Sequence, residues 1–120
     1  MSFLFHMSIP GEASFLEPLL ELAVKVAEYA GYRATDAQEI GASIRNGAAE
    51  AIRLAARSPM PLEIVFRTRD AQFEVTLSYD HGSSGRPAPQ HLAESFRCGR
   101  EGHLDICRMS RSLPEIETGS

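Results

Sequence analysis

From Ser2 to Ile9 the apolar side chains Phe3, Phe5, Met7 and Ile9 fall on every second position. That is the period of a strand with one buried face, and Pro10-Gly11 ends it. The period then changes to that of a helix. Phe15, Leu19, Leu22, Val26 and Tyr29 form one stripe, with Ser14 as N-cap, Glu17 at the capping-box position, Pro18 in the first turn and Gly31 as the stop. A longer helix is predicted from about Asp36 to Arg57, capped by Thr35 or Asp36 and ending near Ser58-Pro59. Its buried face carries Ile40, Ile44, Ala48, Ala51, Ile52 and Ala55. Leu62–Arg69 and Gln72–Tyr79 read as two strands joined by a tight turn at Asp70-Ala71, with Phe73, Val75, Leu77 and Tyr79 on one face. Beyond Asp80 the alternation breaks down. Gly, Ser, Pro and Arg predict a long loop to Gly102 with a short helical stretch at Gln90–Phe96, then a short third helix at Leu104–Met109 and a last strand at Pro114–Ile116.

This order predicts an α/β (α+β) two-layer sandwich, in which a mixed, mainly antiparallel sheet is covered on one face by two long helices. Phe15, Leu19, Leu22, Val26, Ile40, Ile44, Ile52, Val65, Val75 and Leu77 are the expected core. At 120 residues the chain reads as one domain, large enough to bury a core without metal or disulfide help. A net charge of −4 argues against a direct nucleic-acid partner. Arg86, Arg97, Arg100, Arg108 and Arg111 nevertheless gather late in the chain, as a solvated face or as a dock for an acidic partner. The opening MSFLFHMSIP is too short and too polar for a signal peptide or membrane span, so a cytoplasmic location is expected. In that reducing compartment Cys98 and Cys107 are expected as free thiols.

Few residues suggest chemistry by themselves. Asn46 is a carboxamide in an Ala-rich helix, near the edge of its buried face, where it bonds locally, faces solvent or reaches a ligand. Asp80 precedes the glycine-bearing run His81-Gly82-Ser83-Ser84-Gly85, as a turn former or as a recognition carboxylate. His81, His91, Cys98, His103 and Cys107 include zinc-ligand types, with His103 and Cys107 on one face if that segment is helical, but the spacings match no standard zinc site. His81, His91, Ser83 and Ser84 lack the context of a nucleophile elbow.

Taken together, the opening strand with IPGEASFLEPLLELAVKVAEYAGY, then ASIRNGAAEAIRLA, VTLSYDHG and CGREGHLDICRM, resembles the anti-sigma regulatory factors of bacteria. These are serine-kinase-like members of the Bergerat-fold (histidine-kinase-like) ATPases, and the likeness of layout runs from Phe3 to Ile116. The resemblance implies ATP and magnesium as cofactors, with Asn46 as magnesium ligand, Asp80 reading adenine, and Gly82, Gly85, Gly102 and Arg100 around phosphate. It also implies a sigma factor or an antagonist-like protein as partner, no membrane, and a possible homodimer. The chain departs from the family at defined points. Ala42 stands where the family has its general-base glutamate, and only a shifted register, with Ser43 as ligand, would give Glu39 that role. Ser84 stands at the final glycine of the first box, with Gly85 one residue late, and Arg100 stands at a glycine of the second. The chain stops soon after Ile116, short of the family's last hairpin. Side chains at box glycines crowd phosphate, and a missing base removes a factor of order 10²–10⁴ from transfer. The expected function is therefore regulation through partner binding on a C-terminally shortened fold with a weakened ATP site. An active ATP-dependent serine kinase and a small metal- or ligand-binding domain built on residues 81–107 are the alternatives.

Overall fold

The computed structural model describes residues 2–54, 61–81 and 87–114. Strand β1 (Leu4–Ile9) leads through a short 3-10 turn (Ala13–Phe15) into helix α1 (Leu16–Tyr29), followed by α2 (Ala34–Leu54). Strands β2 (Leu62–Arg69), β3 (Gln72–Asp80), β4 (His91–Leu92), β5 (Phe96–Glu101) and β6 (Leu104–Ser112) complete the chain. The six strands form one sheet in the order β1-β2-β3-β6-β5-β4. Every neighbouring pair is antiparallel, so the sheet is not the mixed one expected. The class is α+β.

Strand alternation sorts the side chains onto two faces. Leu62, Ile64, Phe66 and Thr68 of β2 and Phe73, Val75, Leu77 and Tyr79 of β3 are all buried, and the residues between them are only half-buried or exposed. The register carries one apolar row across the sheet from Phe5 through Phe66 and Val75 to Met109. Both helices lie on this face: Tyr29 packs on Phe3, Tyr32 meets Phe73 edge-on, and Gly47 backs onto Leu77 and Phe96. The tight turn at Asp70-Ala71 is present, with φ of 51° and 62° as its two-residue loop requires. Gly31, at φ 111°, follows the end of α1 as expected.

Several expectations are corrected. Ser14 does not cap α1, because the 3-10 turn absorbs it and α1 starts at Leu16 without a side-chain cap. That turn also lifts Phe15 off the helical stripe and leaves it 36% exposed. Helix α2 starts at Ala34, ahead of the expected caps Thr35 and Asp36. Its buried face adds Ala37, Gly41 and Gly47, and its expected end and Ala55 lie outside the described residues. Val65 has the parity of the open face, Val26 and Ile52 pack at the margin of the core, and Leu22 is half-buried in a groove beside β1. Gln90–Phe96 and Leu104–Met109 are not helical. The first holds β4 and a turn, and the second is β6, flanked by β3 on one side and β5 on the other. β6 alternates in burial like β2 and β3, but its residue types do not follow that alternation: the apolar Leu104 and Ile106 have the parity of the open face and the charged Asp105 that of the buried one, so Leu104, Ile106, Cys107 and Met109 read as helical. Pro114 is outside any strand, and Glu115 and Ile116 lie outside the described residues.

The β5–β6 hairpin also overturns the expectation of free thiols. Gly102 and His103 form its two-residue loop, and Cys98 stands directly opposite Cys107. The two are joined as a disulfide. Cys107 is fully buried, and Cys98 packs against the core from the margin.

Two glycines set the spacing of the layers. A Cβ on Gly41 would lie 2.5 Å from Val24 of α1, and one on Gly47 would lie 2.7 Å from the Phe96 ring. Two predictions follow from this packing. In Gly47→Ala the clash with the fully buried Phe96 ring outweighs the gain in helix propensity, so denaturant unfolding should report a net loss of about 1–3 kcal/mol. Reducing Cys98–Cys107, which are nine residues apart, should lower stability by roughly 2–3 kcal/mol on the loop-entropy estimate. Thermal melts with and without a dithiol reductant read this directly.

Candidate functional site at the end of the sheet

Where β3 ends and the β5–β6 hairpin turns, the helix-side face changes from apolar to polar. The register places Tyr79 beside Asp105, and Asp105 beside Arg100. Asp105 and Tyr79 are 2% and 3% exposed. The Arg100 guanidinium donates from Nε to Asp105 Oδ1 at 2.7 Å and from Nη2 to Oδ2 at 3.4 Å. A carboxylate this deep in the fold needs such a partner to offset its desolvation. The Tyr79 hydroxyl is buried and makes no hydrogen bond. Burial first, and the negative charge of Asp105 second, push its pKa well above the usual 10. Just beyond β3, His81 N–H bonds to the His103 carbonyl, and its ring Nε2 lies 3.1 Å from the Gly102 carbonyl. A carbonyl only accepts, so Nε2 carries the proton, and the buried Nδ1 is left as an unused acceptor. The cluster thus holds one unused donor and one unused acceptor beside an internally neutralised ion pair. It contains no activated nucleophile.

The residues singled out in the sequence are not gathered at one point. Arg100 belongs to this cluster, but its guanidinium is engaged by Asp105. Gly102, at φ 60°, is the first residue of the hairpin loop and lies in a turn, not in a phosphate loop leading into a helix. Asp80 ends β3 with the parity of the open face, opposite Leu104. Asn46 is exposed on α2, where its Oδ1 accepts from Arg45 Nη1 at 3.4 Å. The position between Asn46 and the sheet is taken by Gly47, with the fully buried Phe96 ring against it. One turn further along α2, the Glu50 carboxylate accepts the backbone N–H of Ala93, which ties the helix to the β4–β5 turn. Glu39 is exposed near the start of α2, 3.8 Å from Arg111, and that guanidinium also reaches Asp36 and lies over the Tyr32 ring. Gly82 and Gly85 lie outside the described residues.

The metal alternative loses its thiolates, because Cys98 and Cys107 are joined. Among the described residues, no group of three or more His, Cys, Asp or Glu side chains is placed to hold a metal ion. No described helix is long and apolar enough to cross a membrane. The chain matches no family model and no curated protein.

Tyr79 and Asp105 were not anticipated from the sequence. The signal for Asp105 was spacing: a hairpin centred on Gly102 and His103 must set Arg100 against Asp105, as it sets Cys98 against Cys107. Tyr79 gives a test of the cluster. Its raised pKa means that the folded state favours the protonated phenol, so this contribution is fully present below pH 10 and is lost as pH rises above it. Tyr79→Phe should change stability at neutral pH by no more than about 1 kcal/mol, since the hydroxyl lies beside Asp105 without reaching good hydrogen-bond geometry. It should also flatten the loss of stability above pH 10 in urea unfolding series.

Proposed function

We propose that this chain is a regulatory protein of the anti-sigma, serine-kinase-like type that acts by holding a protein partner and not by phosphoryl transfer. The order β-α-α-β-β of the first 80 residues supports the family reading. The observation that carries the partner-binding reading is the β5–β6 hairpin. It stands where the resemblance calls for a second glycine box and its helix, and it packs Phe96 onto Gly47 beside Asn46. The Bergerat-type assignment belongs to this proposal, as do a sigma factor or antagonist-like partner and a bacterial cytoplasmic setting, against which the Cys98–Cys107 disulfide weighs. Ala42 at the base position, and Glu39 held toward Arg111 far along the helix, favour binding over kinase chemistry.

The open face of the sheet supplies a docking surface. Arg97 and Arg108 stand directly opposite each other across β5 and β6, with no ion pair among the described residues. Like charges so placed repel, and an acidic segment of a partner relieves that. They line a hollow of about 800 Å³, floored by Gly99 and Ile106.

Calorimetric titration of the folded protein with ATP and ADP, with and without magnesium, should give no heat at millimolar nucleotide. Binding to a purified sigma factor should weaken about tenfold or more, equivalent to about 1.4 kcal/mol, in an Arg97→Glu/Arg108→Glu variant, and should fall with salt. Magnesium-dependent phosphorylation of a partner serine would refute the proposal.

A further inference from the structure

The two sulfurs of the β5–β6 cross-link are unequal. Cys107 is fully buried beside Leu77 of β3, while Cys98 is only half-buried on β5. Reactive cysteines are partly exposed and lie near positive charge, whereas buried ones are inert. Arg97 precedes Cys98, Arg108 follows Cys107, and Arg100 lies two residues beyond Cys98 on the same face. Cys98 is approached from the side of the sheet. Among the described residues the strand outside β5 is β4, which pairs only His91 and Leu92 with it.

The hairpin keeps its shape by other means. The Cys98 N–H bonds to the Gln90 carbonyl, away from β6, so Cys98 and Cys107 form a rung with no backbone hydrogen bond between them. By alternation the backbone bonds fall on the adjoining rungs, Arg97–Arg108 and Gly99–Ile106. Phe96 seated on Gly47 and the Arg100–Asp105 ion pair hold the hairpin on either side. After reduction the two thiols therefore still face each other, and the bond can re-form. In the cytoplasm, the setting of the function proposed above, a disulfide is a transient, redox-sensing one.

We propose that Cys98–Cys107 is a reversible redox switch, entered at Cys98 by a small thiol such as glutathione, that sets how firmly the open face holds an acidic partner. The incoming thiolate attacks Cys98 Sγ, and the bond to Cys107 breaks. Cys107 Sγ leaves with the electron pair and takes up a proton, since a charge in its buried site is costly. A second thiol then displaces Cys98, so two small thiols become one disulfide as the protein disulfide becomes two thiols. The link to docking is electrostatic. The bond holds Arg97 and Arg108 opposite each other, and their repulsion works against it. An acidic segment laid across both removes that opposition. By linkage, whatever factor the bound segment adds to the stability of the disulfide, the disulfide adds to the affinity for the segment. This coupling rests on the docking reading of the open face, whereas entry at Cys98 does not.

The test equilibrates the full chain with buffers of reduced and oxidised glutathione. Thiol trapping with mass measurement reads the state of the bond, and circular dichroism reads the fold. The expected result is a reversible equilibrium between two folded forms. Cys107→Ser should accumulate glutathione on Cys98, and Cys98→Ser should leave Cys107 unmodified while the protein is folded. Arg97→Gln should shift the equilibrium toward the disulfide by about two- to fivefold. Oligoglutamate should produce a shift of that size in the wild type and little in Arg97→Gln. A bond that opens only on unfolding, or an adduct that forms on Cys107, would overturn the switch. An equilibrium indifferent to oligoglutamate that demonstrably binds would overturn the coupling and leave the docking surface standing. No binding of oligoglutamate in either redox state would overturn both.

Discussion

The close approach of α2 to both of its neighbours is the constraint on which the rest of the structure depends. Gly41 admits Val24 of α1 on one side, and Gly47 admits Phe96 of β5 on the other. Glycine inside a helix costs about 1 kcal/mol relative to alanine, so two of them mid-helix need a compensating gain. That gain is apolar burial: Val24 is almost fully buried and Phe96 completely so. Ala37, Ala48 and Ala51 continue the same buried face, so α2 is a thin helix set between two layers. Larger side chains along this line would separate the helix from the sheet and expose the middle of the core.

That packing decides what the helix side of the molecule has left for chemistry. Once Phe96 is seated on Gly47 and Glu50 has bonded to Ala93, the β4–β5 turn is fixed to α2. Among the described residues the buried polar side chains on this face are Thr68, which accepts the Phe3 N–H, and, at the other end of the sheet, Asp105, which Arg100 neutralises beside Tyr79. Such a cluster orders the end of the hairpin. It differs from an anion site, where a guanidinium would be directed at the incoming ligand and not satisfied from within.

The first 80 residues were largely legible because their elements have single periods. β2 and β3 bury one face each, and alternation in the sequence gives strand, turn and face together. The helices were legible in type but not in their starts, because a 3-10 turn replaced the cap at Ser14 and α2 began without any strong capping residue. The last third was misread for a different reason. β6 sets the apolar Leu104 and Ile106 on the open face and the charged Asp105 on the buried one, so residue type does not alternate with burial, and a four-residue spacing such as His103 to Cys107 then looks helical. The information was present in the symmetry about Gly102 and His103, which pairs Cys98 with Cys107 and Arg100 with Asp105. Periodicity cannot find it, because a hairpin is marked by its turn and by its cross-strand partners.

The same topology leaves two surfaces of different character uncovered. A two-layer α+β fold covers one face of its sheet and leaves the other open. Here the open face carries Arg97 and Arg108 over a broad hollow, and the uncovered margin carries Phe5 and Tyr29 at the edge strand β1. The two surfaces differ in physical character. The arginines attract at long range and are weakened by salt, so they suit a partner that must be found quickly and released. The apolar margin offers burial, which salt does not weaken, so it suits a lasting contact.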